Sequence, residues 1–583
     1  MKHLLNIFIF LFTSGCFAQS FYLNINGINK KQSQTIDSVS YNKKHPNIKS
    51  LFTEITKITN TLTKQGYLDT EITENKKTND STFTIIIDLK SKTKEVHIYI
   101  GIKNSLYSEK TSTQDSIFIP YSELENFLNQ EISNKEKAGF AFTKLKLKNI
   151  TKKNSIIYAD LNLDSEKKRI LNSIILNYAN PDSKEYFPKG ALKQLNKKYI
   201  NRTFNQEIIK NIYTDLNSFE FISQTKYPEI LFTKDSTKIY TYIEKRKANT
   251  FDGYIGFSND ENKKLVLNGY LDISLINTLR AGEKFSLYWK SDGNQQKTFN
   301  TKIEIPYIFQ SPIGIKAQLN IFKQDSTFQN TKTDINLGYY LNYNSKLYIG
   351  YQSTESSDIQ NTNNSSISDF NNSYLTTTFD FLKTDYQNPI FLNKTYLYAS
   401  LGFGKRTTNN SPETVGTSNQ FFANVNFKYN FELNPKNFIN INSQNYILKS
   451  QNYISNELFR FGGMNSIRGF LENSLQTNFT SMILTEYRYL ASKNLYINSI
   501  LDYALYQDTT SVSNKNQIKK LIGIGIGTTI QTTSGILKIN LTNGGEKTSD
   551  LQLYNTIINI CYNVKFWSLT KKIFFLLGKL TNY

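Results

Sequence analysis

Two rhythms divide the chain. From about residue 21 to 247, short strand-like runs are interleaved with helical spacing. In "IKSLFTEITKITNTLTKQGYLDTEI", Leu51, Ile55, Ile58 and Leu62 recur at steps of four, three and four, one face of a helix. The helix predicted there stops at Gly66, and Tyr67 leads into a strand. "TFTIIIDLKS" reads as the strand that follows. "SELENFLNQEISNKEKAGFAFTKLKL" repeats the plan through Gly139 and Phe140, then enters the strand "SIIYADLNL"; the two glycines lie 73 residues apart (139 − 66). A third copy runs from "RILNSIILNY" through "NQEIIKNIYTDL" to "FEFISQTKYPEILF" and "STKIYTYIEKR", with Asn217 and Ser218 in the glycine's place. Repeats of this length mean small domains in series, each with its own core. Three unrelated α+β modules are the alternative.

After residue 248 the helical period stops and strand alternation runs on to Trp567. In "LYINSILDYALY" one face carries Leu495, Ile497, Leu501, Tyr503 and Leu505, the other Asn498, Asp502 and Ala504. In "YNTIINICYNVKFW" Tyr554, Ile558, Ile560, Tyr562, Val564 and Phe566 oppose Asn555, Asn559, Asn563 and Lys565. Strands of about ten residues, apolar on one face and polar on the other, are the pattern of a transmembrane β-barrel. No second apolar run long enough for a spanning helix exists, and about sixteen candidate strands fit the even number bacterial barrels need. An array of secreted β-sandwiches alternates in the same way and is the competing reading.

Composition narrows the function. The histidines are His3, His45 and His97, and the cysteines Cys16 and Cys561. With His3 and Cys16 in the first twenty residues, no His/Cys zinc site and no intrachain disulfide is expected. A Ser-His-Asp enzyme could use only His45 or His97, each in a Lys-rich polar stretch without a nucleophile motif and each expected at the surface. No phosphate-cradling glycine loop occurs. The expectation is a protein without catalytic residues, metal or cofactor, not an enzyme. The net charge of +21 is spread along the chain without an arginine-rich block, which argues against nucleic acid and fits a solvated surface or anionic lipid head groups.

"MKHLLNIFIFLFTSGCFAQS" supplies Lys2, the apolar run Leu4 to Phe12 and small residues before Ala18, so residues 1–18 read as a signal peptide cleaved after Ala18. Cys16 behind Thr13-Ser14-Gly15 weakly resembles a lipoprotein site, with Thr13 a poor first residue for it. The expected divisions are 1–18, three α+β units at 21–93, 94–167 and 168–247, a barrel at 249–567 and a tail at 568–583.

One stretch breaks the pattern. "FRFGGMNSIRGF", Phe459 to Phe470, sets a single arginine among glycines. The run Gly462-Gly463-Met464-Asn465-Ser466-Ile467-Arg468-Gly469-Phe470, with Glu486-Tyr487-Arg488 after it, resembles the signature loop of the outer-membrane assembly-factor family, which includes BamA, TamA and the two-partner secretion transporters. The α+β units then resemble POTRA domains, strand, two helices and two strands over some seventy-five residues. The resemblance implies a loop between the eleventh and twelfth strands that folds into the lumen, where its arginine pairs with carboxylate on the inner wall. Guanidinium grips a carboxylate at two points, as lysine cannot. Asp502 and Glu486 are the candidate partners, with Glu486 as fallback and Phe470 expected beside the guanidinium face. Glycines 523, 525 and 527 in "LIGIGIGT" face inward and make room for the loop. Asp502 stands in a strand that departs from the family's Phe-x-Asp-x-Gly at Leu501 and Ala504. The resemblance also implies a weak seam between first and last strands, marked by Gly253, Gly256 and Phe566.

The function implied is a TamA-like insertase in the bacterial outer membrane. Its POTRA edges, in the periplasm, would take unfolded outer-membrane or secreted clients by strand addition, with a periplasmic tether or accessory protein as a further partner beside the membrane lipid. The alternatives are a two-partner secretion pore exporting a dedicated partner protein, and a porin or surface adhesin. The tail "SLTKKIFFLLGKLTNY" departs from family members that end on the last strand; an interfacial segment and a frayed tail both fit it.

Overall fold

The computed structural model describes residues 20–100, 115–179, 185–259, 265–292, 296–360, 367–385, 389–391, 393–411, 414–510, 517–533 and 535–566. The expected signal peptide, His3, Cys16, Trp567 and the tail 568–583 lie outside them. The chain divides into two compact units, one holding two α+β sheets, the other a third sheet and the barrel.

In the first unit β1 (Phe21–Gly27), α1 (Lys30–Asp37), β2 (Lys44–His45), α2 (Ile48–Lys64), β3 (Glu71–Lys77) and β4 (Thr82–Asp88) form a sheet of order β2-β1-β4-β3, with β1 parallel to β4. Asn47 caps α2 by accepting from Ser50 N at 2.8 Å. The helix lays Leu51, Ile55, Ile58 and Leu62 on Leu23, Ile25, Ile85 and Ile87. Each such side chain contributes about 1.5–3 kcal/mol by leaving water. Gly66 ends the turn at φ 104°, and a Cβ there would sit 2.3 Å from Thr93 O, so only glycine closes it. Tyr67 belongs to the following turn; the strand opens at Glu71.

The second sheet, order β6-β5-β8-β7, contains β5 (Glu95–Tyr99), β6 (Ser116–Pro120), α3 (Leu124–Lys137), β7 (Lys144–Lys153) and β8 (Ile156–Asp164). β6 pairs antiparallel with β5 at the sheet edge, as β2 pairs with β1, and the place of the expected first helix falls at 101–114, outside the described residues. "SIFIP" is β-branched and aromatic, and Pro120 lacks a donor, which suits an edge strand. The histidines are not simple surface residues. His45 is buried with Nε2 2.7 Å from Asn42 O, and the His97 ring stacks on Phe118 at 4.0 Å between centroids.

The second unit opens with β9 (Ser173–Tyr178), α4 (Lys189–Tyr199), α5 (Gln206–Asn217), β10 (Ile222–Phe232) and β11 (Thr237–Lys245), in order β10-β11-β9 with β9 parallel to β11. Gln194 Nε2 donates to Gln310 O at 2.6 Å, and Lys284 reaches Glu220 at 3.5 Å, so this sheet is tied to one end of the barrel.

The barrel strands are β12 (Asn249–Asn259), β13 (Leu265–Ile276), β14 (Lys284–Asp292), β15 (Gln296–Ile305), β16 (Ile313–Gln324), β17 (Phe328–Asn342), β18 (Ser345–Asp358) and β19 (Phe370–Thr384). They continue with β20 (Asn393–Ser411), β21 (Thr414–Asn434) and β22 (Asn437–Lys449). A short pair, β23 (Phe459–Phe461) and β24 (Leu475–Thr477), interrupts them before β25 (Phe479–Ser492), β26 (Leu495–Gln507), β27 (Lys519–Gln531), β28 (Gly535–Gly545) and β29 (Ile557–Phe566). Without β23 and β24 these sixteen antiparallel strands close into a ring. Leu337, Ile349, Leu375, Phe403, Leu501 and Ile526 are exposed on the outside, while Asn336, Gln352, Asn372, Ser400, Asn498 and Asp502 are buried inside. Apolar outside and polar inside is the inverse of a soluble barrel. The last strand is shorter than its alternation suggests: Tyr554 and Asn555 fall in a 3-10 turn before Ile557.

Candidate functional site: the lumen loop and the seam

The loop between β22 and β25, the eleventh and twelfth barrel strands, turns back into the lumen through the β23–β24 hairpin. Gly462, Gly463 and Gly469 have φ of 109°, 99° and 90°, where side chains are strained. A Cβ on Gly469 would lie 2.3 Å from the Asn543 carbonyl carbon, so the tip rests directly on β28. Ile467 is fully buried among Phe461, Met482, Leu484, Ala504, Tyr506 and Leu521. That apolar seat fixes the residue beside it.

Arg468 is thereby presented to both candidate carboxylates at once. Its Nε donates to Asp502 Oδ2 at 2.7 Å and its Nη2 to Asp502 Oδ1 at 2.6 Å, the two-point fork. The Arg468 backbone N donates to the same Oδ2 at 3.1 Å. Nη1 donates to Glu486 Oε1. Glu486 is therefore no fallback but a second simultaneous partner. It also accepts from Arg488 Nε at 2.7 Å and lies 3.6 Å from Lys538 Nζ. Three cations thus share two carboxylates, and Arg488 spends a further donor on Asn430 Oδ1 at 2.9 Å.

Other expected residues fall differently. Phe470 lies against Gly544 of β28, where an added Cβ would be 2.6 Å from its ring, and not beside the guanidinium. Of the three inward glycines, only Gly523 meets the loop, a Cβ there falling 2.3 Å from Arg468 O. Gly525 and Gly527 pack instead against Thr542 and Asn540 of the neighbouring strand.

The seam is the shortest ladder of the barrel among the described residues. β12 pairs with β29 only through Asn249–Phe566, Thr250–Lys565 and Phe251–Val564 among the described residues. The next shortest, β14–β15 and β28–β29, each pair eight residues of one strand. Gly253 and Gly256 lie past the paired stretch and are in register with Leu271 and Asn268 of β13. There Cys561 Sγ donates to Asp252 Oδ2 at 3.0 Å, a side-chain link where ladder bonds are missing.

No protein-family model matches the chain, and no curated protein matches it. Solved structures similar to it include BamA from Haemophilus ducreyi lacking POTRA domains 1-3, at 15% identity over 79% of this chain and 96% of that one, TM-score 0.42. CdiB from Acinetobacter baumannii aligns at 13% identity over 77% of this chain and 83% of its own, TM-score 0.49. CdiB from Escherichia coli aligns at 10% identity over 87% and 96%, TM-score 0.46.

Proposed function

We propose that this chain is an outer-membrane protein assembly or translocation factor, a TamA-like insertase working without covalent chemistry. The observation that carries this reading is the three-residue pairing of β12 with β29, among the described residues, in a barrel otherwise closed by ladders of eight or more. A strand edge that opens at low cost can template an incoming strand, the hazard soluble sheets suppress. The barrel's apolar exterior supports an outer-membrane location, and the α+β arm would then lie in the periplasm. In the arm, edge strand β3 is exposed along its whole length, which suits capture of an extended client by strand addition. Clients would be unfolded outer-membrane or secreted proteins.

The secretion-pore reading is favoured by one feature, a largely polar lumen cavity of about 460 Å³ between β15 to β22 and the loop. Depletion of the protein followed by outer-membrane proteomics tests the choice. The insertase reading expects several barrel proteins to fall together; loss of one secreted protein with the outer membrane unchanged would favour the pore.

A further inference from the structure

The tip at Arg468 is one anchor of the lumen loop; its first leg has another, on different barrel strands. Glu457 is buried in a 3-10 turn at Ser455–Glu457, where its carboxylate accepts from Arg406 Nη1 of β20, from Gln420 Nε2 of β21 at 2.8 Å and from Ile454 N at 3.1 Å. Arg406 Nη1 also donates to Asn452 O at 3.1 Å. Beside it Asn456 is 1% exposed and donates to Ser356 Oγ and Ser368 O, each at 2.8 Å, while its carbonyl accepts from Asn330 Nδ2 at 2.6 Å. The leg is thus stitched to β17 and β18, well around the ring from β25 to β28 where the tip sits, and to β20 and β21, which β22 separates from β25. Below it, Leu458, Arg460 and Asn473 of the loop line the lumen cavity together with Lys316 and Tyr374.

We propose that Arg406 and Glu457 form a second latch, separate from the Arg468 fork, which holds the loop across the end of the lumen away from the α+β sheet. This positioning role rests on the reading of the loop as a lumen element of an assembly factor. The charge clasp, with the neutral hydrogen bonds beside it, can be given up without unfolding the sheet, because the ladders on either side do not pass through it. With both side chains buried, opening needs both to be rehydrated together, so the latch is two-state. Release would uncover the cavity while the tip stays docked.

The test is limited trypsin digestion of the full-length protein in membranes, reading cleavage after Arg460 by mass spectrometry. Wild type should resist. Arg406→Gln and Glu457→Gln should each raise the cleavage rate roughly tenfold or more, as loss of a charge-assisted bond implies. The double variant should be no faster than either single one, and Arg406→Lys should recover part of the resistance. Heat-modifiable migration should be unchanged in all four. Unchanged cleavage in a folded Glu457→Gln protein would overturn the latch, as would full additivity in the double variant. Failure of both single variants to fold, with Asp502→Asn folding normally, would also overturn it, since a latch is dispensable for closure. Loop cleavage does not depend on client insertion, so its failure is separate from failure of the insertase reading.

Discussion

Arg468 illustrates how far a residue can be read before its surroundings are known. The chain has eight arginines against 61 lysines (69 − 8), so an arginine among glycines stands out, and its need for carboxylate follows from its donor geometry. Strand parity was enough to put Asp502 and Glu486 on the inner face, because side chains alternate with period two. Parity does not say which cross-strand neighbours share a carboxylate. Hence Lys538 on Glu486, and Arg406 on Glu457, were not legible; they depend on register and on a long loop, whereas Arg488 shares the inward face of its own strand with Glu486. The glycine pair at Gly544 and Gly545 was the available sign of where Phe470 sits. At this scale Glu486→Gln should cost more than Asp502→Asn, since it strips a partner from three cations where Asp502→Asn leaves Arg468 still bound to Glu486. Removing one member of a buried pair costs about 3–5 kcal/mol, less in a wet lumen. Denaturant midpoints of the refolded barrel, followed by heat-modifiable migration, check the order. Arg468→Lys should leave the barrel closed yet lower activity in vivo, because ammonium offers no planar fork.

Among elements, helix α2 was readable to the residue because amphipathic spacing and the Gly66 stop agree. Strand β6 was not, since "SIFIP" is too short for periodicity to assign. The first sheet also carries a pH-sensitive tie. Lys90, bonded at 2.8 Å through its ammonium, holds the Asp88 carboxyl at about 2, below its ordinary 3.8; the Lys90 backbone N–H and Gln32 assist. A depressed carboxyl stabilises the folded state above its unfolded pKa and loses that contribution as pH falls through the folded value. The fragment 20–170 should therefore lose stability between about pH 4 and 2 more steeply than its Asp88→Asn variant. Parallel urea titrations show it; identical slopes would remove the tie.

For the whole molecule, the order of α+β units and barrel was visible because helical spacing, interleaved with strands up to about residue 247, stops after it. The seam was only suggested by glycines, and the decisive feature proved to be missing ladder pairs beyond Phe251, which no single sequence displays. Residues 249–566 alone should refold to a heat-modifiable barrel, and protease added to intact cells should spare residues 20–247. The most direct measurement locks the seam. With Cys561→Ser as background, Thr250→Cys and Lys565→Cys face each other in register across β12 and β29, within disulfide reach. A matched control joins Thr407→Cys and Thr417→Cys across β20 and β21. The account predicts that oxidising the seam pair abolishes assembly of outer-membrane clients, that reduction restores it, and that the control lock does nothing. Full activity with the seam cross-linked would contradict it.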